Sequence, residues 1–153
     1  MHRTTMRALL SLLPSALLFT GFAYAEASIQ TVKLPFEVGA SHAVETRVGA
    51  LRVTKMGIAP DNAPMFASLL PPRGGQSRYS WLSYSIRVEN ASDIRHRLGV
   101  RVRLLDKNGA VIDEFTFRGR VGKGRYRVLE LRRLTLNYII SLVDAVELTL
   151  SQE

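Results

Sequence analysis

The sequence predicts an all-β protein, an antiparallel sandwich of about seven strands that follows a cleaved N-terminal signal peptide. Two observations support this prediction. Apolar and polar residues alternate in several short segments, which is the period of strands with one buried face. Turn-forming residues separate these segments at short intervals. Removal of the first 25 of the 153 residues leaves 128, enough for one two-layer hydrophobic core.

Residues 1–25 have the three parts of a secretory signal. Arg3 and Arg7 give a basic start, residues 8–22 are mainly apolar, and Ala-Tyr-Ala at 23–25 is a small-x-small cleavage site. The alternative is an uncleaved membrane anchor, but the apolar run is short and contains a proline. We therefore expect residues 26–153 to form one domain in the periplasm or outside the cell, with no transmembrane segment.

The chain has no cysteine, which excludes disulfides, thiolate metal sites and a cysteine nucleophile.

The first part of the mature chain contains two predicted strands and a long loop. Residues 31–38 and 45–56 have strand-like patterns, and Gly49 is expected to be a bend or bulge in the second. Residues 59–78 are rich in proline and glycine, so we expect a long loop there. Within that loop, at most one helical turn is expected, at residues 65–70.

The next three strands have clearer patterns. Within Tyr79–Asn90, residues 82–89 alternate between apolar and polar types, and residues 98–104 repeat this pattern after a short turn. Asn108 and Gly109 then form the dipeptide best suited to the positive backbone angles of a two-residue hairpin turn. This turn leads into a third strand at residues 110–117.

The last part of the chain completes the prediction. Residues 126–131 alternate as a fourth strand after a glycine-marked turn, and residues 146–150 form a closing strand. Residues 134–143 fit both a strand and a short helical turn, of which we favour a short crossover segment. Several short strands in a domain of this size indicate an antiparallel immunoglobulin-like β-sandwich.

Part of this pattern resembles the FxLYD-type immunoglobulin-like domains of bacterial envelope proteins. In those domains a strand ending in V-x-N is followed by the F-x-L-Y-D strand and a D-x-x-G hairpin. The matching residues are Asn90, Leu104, Asp106, Asn108 and Gly109, whereas Val102 and Leu105 replace the aromatic positions. The resemblance covers residues 80–150. It implies a β-sandwich with an adhesive or accessory role and offers no catalytic residues.

Positive charge is concentrated in one part of the mature chain, whose net charge is +6. Twelve basic and four acidic residues lie between positions 95 and 133, so this segment carries +8 and the remainder −2. We predict a possible anion-binding face on Arg101, Arg103, Arg118, Arg120, Arg125 and Arg127. The alternative is that these arginines only keep the strands soluble and protect sheet edges. Nucleic acid is not expected, because aromatic residues do not alternate with the arginines as a stacking surface requires.

These features predict a non-enzymatic module of the bacterial cell envelope that binds a protein partner, through an exposed strand edge, or has an accessory role. The alternative is a binding module whose arginine face engages anionic envelope lipids or polymers. A hydrolase is less favoured, because His42 and His96 have no acidic or nucleophilic residues at suitable spacing. No catalytic residue, metal site or cofactor is expected.

Overall fold

The computed structural model describes residues 29–61 and 78–153. The predicted signal peptide and the predicted helical turn at 65–70 lie outside the described residues. The described chain forms eight strands and one short helix: β1 (Ile29–Pro35), β2 (Ser41–Val48), β3 (Leu51–Pro60), β4 (Tyr79–Asn90), β5 (His96–Leu105), β6 (Val111–Val121), β7 (Arg125–Leu136), α1 (Asn137–Leu142) and β8 (Ala145–Gln152).

The strands form two four-stranded sheets, ordered β1-β8-β5-β6 and β2-β3-β4-β7. Every paired neighbour is antiparallel. The prediction of an all-β antiparallel sandwich is therefore confirmed. Strands β1 and β2 approach one another along one side of the sandwich, and β6 and β7 along the other. Each of these four strands has one hydrogen-bonded neighbour in its sheet and so borders the sandwich.

Alternate side chains of both sheets form the core between them. Burial of these apolar groups is the main stabilising contribution to the fold. The buried apolar side chains of the central strands are Leu51, Val53, Met56 and Ile58 in β3, Leu82, Tyr84, Ile86 and Val88 in β4, Leu98, Val100, Val102, Leu104 and Leu105 in β5, and Ala145, Val146, Leu148 and Leu150 in β8.

A polar and aromatic cluster lies between β6 and β7, where the core meets the border of the sandwich. The rings of Tyr84 and Phe115 meet edge to face, with centroids 4.8 Å apart. The Arg133 guanidinium lies 4.6 Å from the centroid of the Phe115 ring, and its Nη2 donates to Asp113 Oδ2 at 2.8 Å. This inward-facing ion pair joins the two sheets and covers Phe115.

Two adjacent strands replace the single strand predicted for residues 45–56. Val48 pairs with Leu51, so Gly49 and Ala50 form a tight turn between β2 and β3. Gly49 has a φ of 59°, a left-handed conformation that glycine adopts without steric cost. The predicted bend at Gly49 is thus a full chain reversal. The irregular register of β2 lies nearer its start, where Glu45 has a φ of 47°.

The turn at Asn108 and Gly109 is wider than the predicted two-residue turn. Asp106 N donates to Ala110 O at 2.9 Å, and of the loop residues between them only Gly109 has a positive φ, 81°. The Asp106 carboxylate accepts hydrogen bonds from the backbone N–H groups of Ala110 and Asn108, each at 2.8 Å. These bonds lower the pKa of Asp106 and stabilise the three-residue loop.

Two other predicted boundaries shift. Ala59 and Pro60 belong to β3 instead of the predicted loop, and Asp61 N donates to Trp81 O at 2.9 Å. The predicted crossover at residues 134–143 is confirmed for its central part, which forms α1. Its first three residues complete β7, because they continue the ladder with β4.

Replacement of Tyr84 by Phe should reduce the loss of stability at alkaline pH. Burial raises the pKa of Tyr84 to about 12, whereas an unfolded tyrosine releases its proton near pH 10. Its stabilising contribution is therefore complete below pH 10 and is lost as the pH rises towards 12. The unfolding free energy of the wild type should fall by about 2 kcal/mol more than that of Tyr84→Phe over this range. Urea titrations at pH 9, 10, 11 and 12 measure this difference.

The matched control for this prediction is Tyr138→Phe, which alters a tyrosine that is 71% exposed. It should retain the alkaline loss of the wild type. Equal pH dependence for Tyr84→Phe and Tyr138→Phe would contradict the assignment.

Candidate anion-binding site

The structure divides the six predicted arginines into two groups. Arg101, Arg103 and Arg118 project from the first sheet, where carboxylates neutralise them. Arg103 Nε lies 2.7 Å from Glu114 Oε2, and the hydrogen bond to that carboxylate raises the pKa of Arg103. Arg101 pairs with Glu114 at 3.7 Å and Arg118 with Glu153 at 3.9 Å. Three carboxylates, Glu114, Glu147 and Glu153, offset most of the positive charge of these arginines and of Arg97, so external anions gain less at these positions.

The other three arginines lie at the end of the sandwich where β6 turns into β7. Within the described part of the chain, Arg120, Arg125 and Arg127 form no ion pair. The Arg127 guanidinium donates to the backbone carbonyl of Arg120 at 2.9 Å, which joins the two sheets at this end. Their positive charges are left available to a ligand.

Two further cations, which sequence reasoning did not single out, complete this group. We call Arg95, Arg120, Lys123, Arg125 and Arg127 the basic end. Neither Arg95 nor Lys123 pairs with a carboxylate of the described chain. The five side chains line adjoining open clefts of about 440 and 520 Å³. Arg95 contributes to both clefts, although its own loop joins β4 to β5.

Two carboxylates lie close to the basic end without neutralising it. Glu153 borders a neighbouring cleft with Arg95 and Arg120, but its ion pairs are with Arg97 at 3.6 Å and Arg118 at 3.9 Å. Asp93 is exposed in the β4–β5 loop and has no ion pair among the described residues. The basic end therefore keeps a strong positive excess.

The buried side chain of Asn90 holds the two loops of the basic end together. Its Nδ2 donates to the carbonyl oxygens of Ile94 at 2.8 Å, Gly122 at 3.1 Å and Val121 at 3.2 Å. Its Oδ1 accepts hydrogen bonds from Ser92 N at 3.0 Å and Ser92 Oγ at 2.8 Å. One amide thus fixes the β4–β5 loop against the β6–β7 turn, and we call this arrangement the Asn90 clamp.

The two histidines of the mature chain lie on different sheets. His42 is in β2, whereas His96 begins β5 and its Nε2 lies 3.0 Å from Ser92 Oγ. This serine–histidine contact was not predicted. Ser92 Oγ also donates within its loop, and His96 has no carboxylate partner among residues 29–61 and 78–153. The contact therefore lacks the acidic group that orients the base in a catalytic triad.

The structure places the resemblance motif in two turns at opposite ends of β5. Asn90 builds the clamp, and Asp106, Asn108 and Gly109 form the β5–β6 hairpin. Leu104 is buried in the core. Over the described residues, no three His, Cys, Asp or Glu side chains are grouped as metal ligands would be.

Replacement of Asn90 by Ala should destabilise the protein by about 3 kcal/mol. The substitution removes the donor to three carbonyl oxygens around a side chain that is only 2% exposed, and unsatisfied buried polar groups are costly. Thermal and urea unfolding measure the loss. The matched control is Asn108→Ala in the exposed hairpin, which should cost less than about 1 kcal/mol. Equal losses for the two variants would contradict the role of the clamp.

Within the described residues, no helix has the length and apolar character needed to cross a membrane. No family model matches the chain, and no curated protein matches it either. Among solved structures, it is similar to the enzymatically active domain of tailspike protein 4 from bacteriophage CBA120, at 13% identity and a TM-score of 0.28. That match covers 82% of this chain and spans 17% of the tailspike chain.

Proposed function

We propose that this protein is a non-enzymatic, exported module of the bacterial cell envelope that binds phosphate-bearing anionic surfaces through its basic end. The observation that supports this function is that the Asn90 clamp brings together five cations, none of which pairs with a carboxylate in the described part of the chain. The shared ligand chemistry is a dense array of phosphate groups, as in anionic lipid headgroups or acidic envelope polymers.

The form of the basic end suits an extended ligand. Its clefts are open and border one another, whereas small-molecule sites usually enclose most of their ligand. Guanidinium groups donate two parallel hydrogen bonds to a phosphate, and four of the five cations are arginines. Each cation near an anionic membrane contributes about 1 kcal/mol, so all five together contribute several kcal/mol at low salt.

The cellular setting and the absence of catalysis are parts of this proposal. The signal-like residues 1–25 support export to the periplasm or beyond. The isolated serine–histidine contact at Ser92 and His96 supports a turn role for both side chains over a hydrolytic one. The resemblance to FxLYD-type domains supports an adhesive or accessory role in the envelope.

The rival function is recognition of an envelope protein partner, which the sequence favoured. The salt dependence of binding distinguishes this function from binding to phosphate groups. Charge-based binding to phosphate groups weakens steeply as salt screens the interaction, whereas apolar strand-edge recognition does not.

Removal of two charges from the basic end should weaken binding to anionic vesicles. The test compares wild type, Arg95→Gln/Arg125→Gln and Arg101→Gln/Arg118→Gln on phosphatidylglycerol–phosphatidylcholine vesicles and on phosphatidylcholine alone, by sedimentation of vesicles. At about 1 kcal/mol per cation, the basic-end variant should lose about 30-fold in affinity at low salt. The second variant loses the same formal charge from positions already paired with carboxylates, so it should lose less than about 3-fold.

Soluble polyphosphate added as a competitor identifies the source of the phosphate groups. Release of the protein from vesicles at low polyphosphate concentrations indicates a polymer ligand, and retention indicates the lipid surface. Equal losses for the two double variants would refute the proposal. Salt-insensitive capture of a single envelope protein, without vesicle binding, would establish the rival function instead.

A further inference from the structure

Strand β7 exposes an unusual row of side chains at the border of the second sheet. Four large apolar residues, Tyr126, Val128, Leu134 and Leu136, are 67, 52, 46 and 38% exposed. Two opposite charges, Glu130 and Arg132, lie between the two apolar pairs. All six side chains occupy even positions of one strand, so they project from the same outer face.

Among residues 29–61 and 78–153, only β4 pairs with β7, so the backbone groups of β7 that point away from β4 have no strand partner there. The register with β4 is continuous, and beyond its end Asn137 N donates to Arg78 O at 2.9 Å. Successive residues of an antiparallel strand direct their N–H and C=O groups to alternate sides. The odd-numbered residues therefore bond to β4, and the even-numbered residues direct their backbone groups away from the sheet.

We infer that a second copy of this chain pairs with β7 in antiparallel orientation, about a twofold axis at Leu131. In this register Glu130 lies opposite Arg132 of the partner copy, and the reverse pair repeats across the axis. Val128 lies opposite Leu134, and Tyr126 opposite Leu136. Each outward-facing cross-strand pair is either oppositely charged or apolar, the combinations that stabilise antiparallel neighbours. The two sheets containing β7 join into one continuous sheet of eight strands.

The two nearest alternative registers are unfavourable. A shift of the pairing by two residues in one direction places Glu130 opposite Glu130 of the partner copy at the twofold axis. A shift by two residues in the other direction places Arg132 opposite Arg132 of the partner copy. Either contact sets like charges directly against one another. A shift by one residue places outward side chains opposite inward ones and breaks the backbone hydrogen-bond pattern. The charges of β7 therefore select one register.

Inward-facing cations often protect an edge strand from association, but the two within β7 already have partners on their own chain. Arg133 pairs with Asp113 at 2.8 Å, and Arg127 donates to the carbonyl of Arg120. Neither would become unpaired when a second copy adds to the edge.

The two outward charges also have contacts on their own chain. Glu130 accepts a hydrogen bond from Ser83 Oγ at 2.7 Å, and Arg132 pairs with Asp61 at 3.2 Å and with Glu130 at 3.4 Å. Both side chains remain about half exposed and reachable from the edge.

The other three outer strands lack this pattern. Among the described residues, β1 exposes one large apolar side chain, Ile29, and β6 exposes one, Val111. Strand β2 exposes none. Strand β7 is therefore the edge best suited to self-association. Its first residues adjoin the basic end, since Arg125 and Arg127 belong to β7 and Tyr126 lines one of the clefts.

The experiment is sedimentation velocity on the exported protein, produced from the full chain, over a wide concentration range. The wild type should form a dimer. Glu130→Arg and Arg132→Glu each place like charges opposite one another, so each alone should weaken dimerisation at least 10-fold. An equal mixture of these two variants should form heterodimers, because every charged pair across the axis is then opposite in sign. The double variant Glu130→Arg/Arg132→Glu should restore dimerisation as well.

Arg118→Glu is the matched control, because it reverses an exposed charge on the other sheet and should leave the dimer intact. Circular dichroism and thermal melting establish that each variant folds. A monomeric wild type at all concentrations would overturn the inference. So would single variants that dimerise like the wild type, or a mixture of the two that stays monomeric. Since no anion is present, these results are independent of vesicle binding.

Discussion

The Asn90 clamp is the interaction on which the arrangement of the candidate site depends. The two N–H groups of its amide are shared among three carbonyl oxygens, in segments that are about thirty residues apart in sequence. A backbone hydrogen bond from Gly124 N to Ser92 O, at 3.0 Å, joins the same two loops. Buried carbonyl groups need a donor, and the amide supplies one where the two loops meet. The amide and this backbone bond together fix the positions of Arg95 and Lys123 relative to one another.

Carboxylates determine which arginines of this basic protein are available. On the first sheet, Glu114, Glu147 and Glu153 occupy cross-strand positions beside the arginines and neutralise them. Exposed ion pairs of this kind contribute little to stability, but they remove positive charge from a surface. The end of the sandwich lacks such partners among the described residues, so its potential remains positive. Local charge balance, more than the number of arginines, distinguishes the two regions.

The sandwich offers two different kinds of surface. The basic end is polar and built from two loops and the adjoining ends of β6 and β7, and its interactions are long-range and sensitive to salt. The β7 edge is built from a regular strand, and its specificity arises from backbone hydrogen bonds and side-chain register. Antiparallel pairing of two β7 strands would place two basic ends at opposite ends of the shared ladder, about 40 Å apart and facing in opposite directions.

The sequence by itself determined the strands of the core and the chemistry of two turns, because alternation and the Asn and Asp side chains act locally. It predicted a bend or bulge at Gly49 within one strand, whereas the pairing of Val48 with Leu51 makes Gly49 part of a chain reversal, which glycine permits equally well. Only the tertiary structure decided which arginines are neutralised. Arg103 meets Glu147 across 44 residues of chain, and Arg95 meets Lys123 only because the two sheets pack face to face. Contacts of this range depend on strand order and register, which alternation of residue types does not encode.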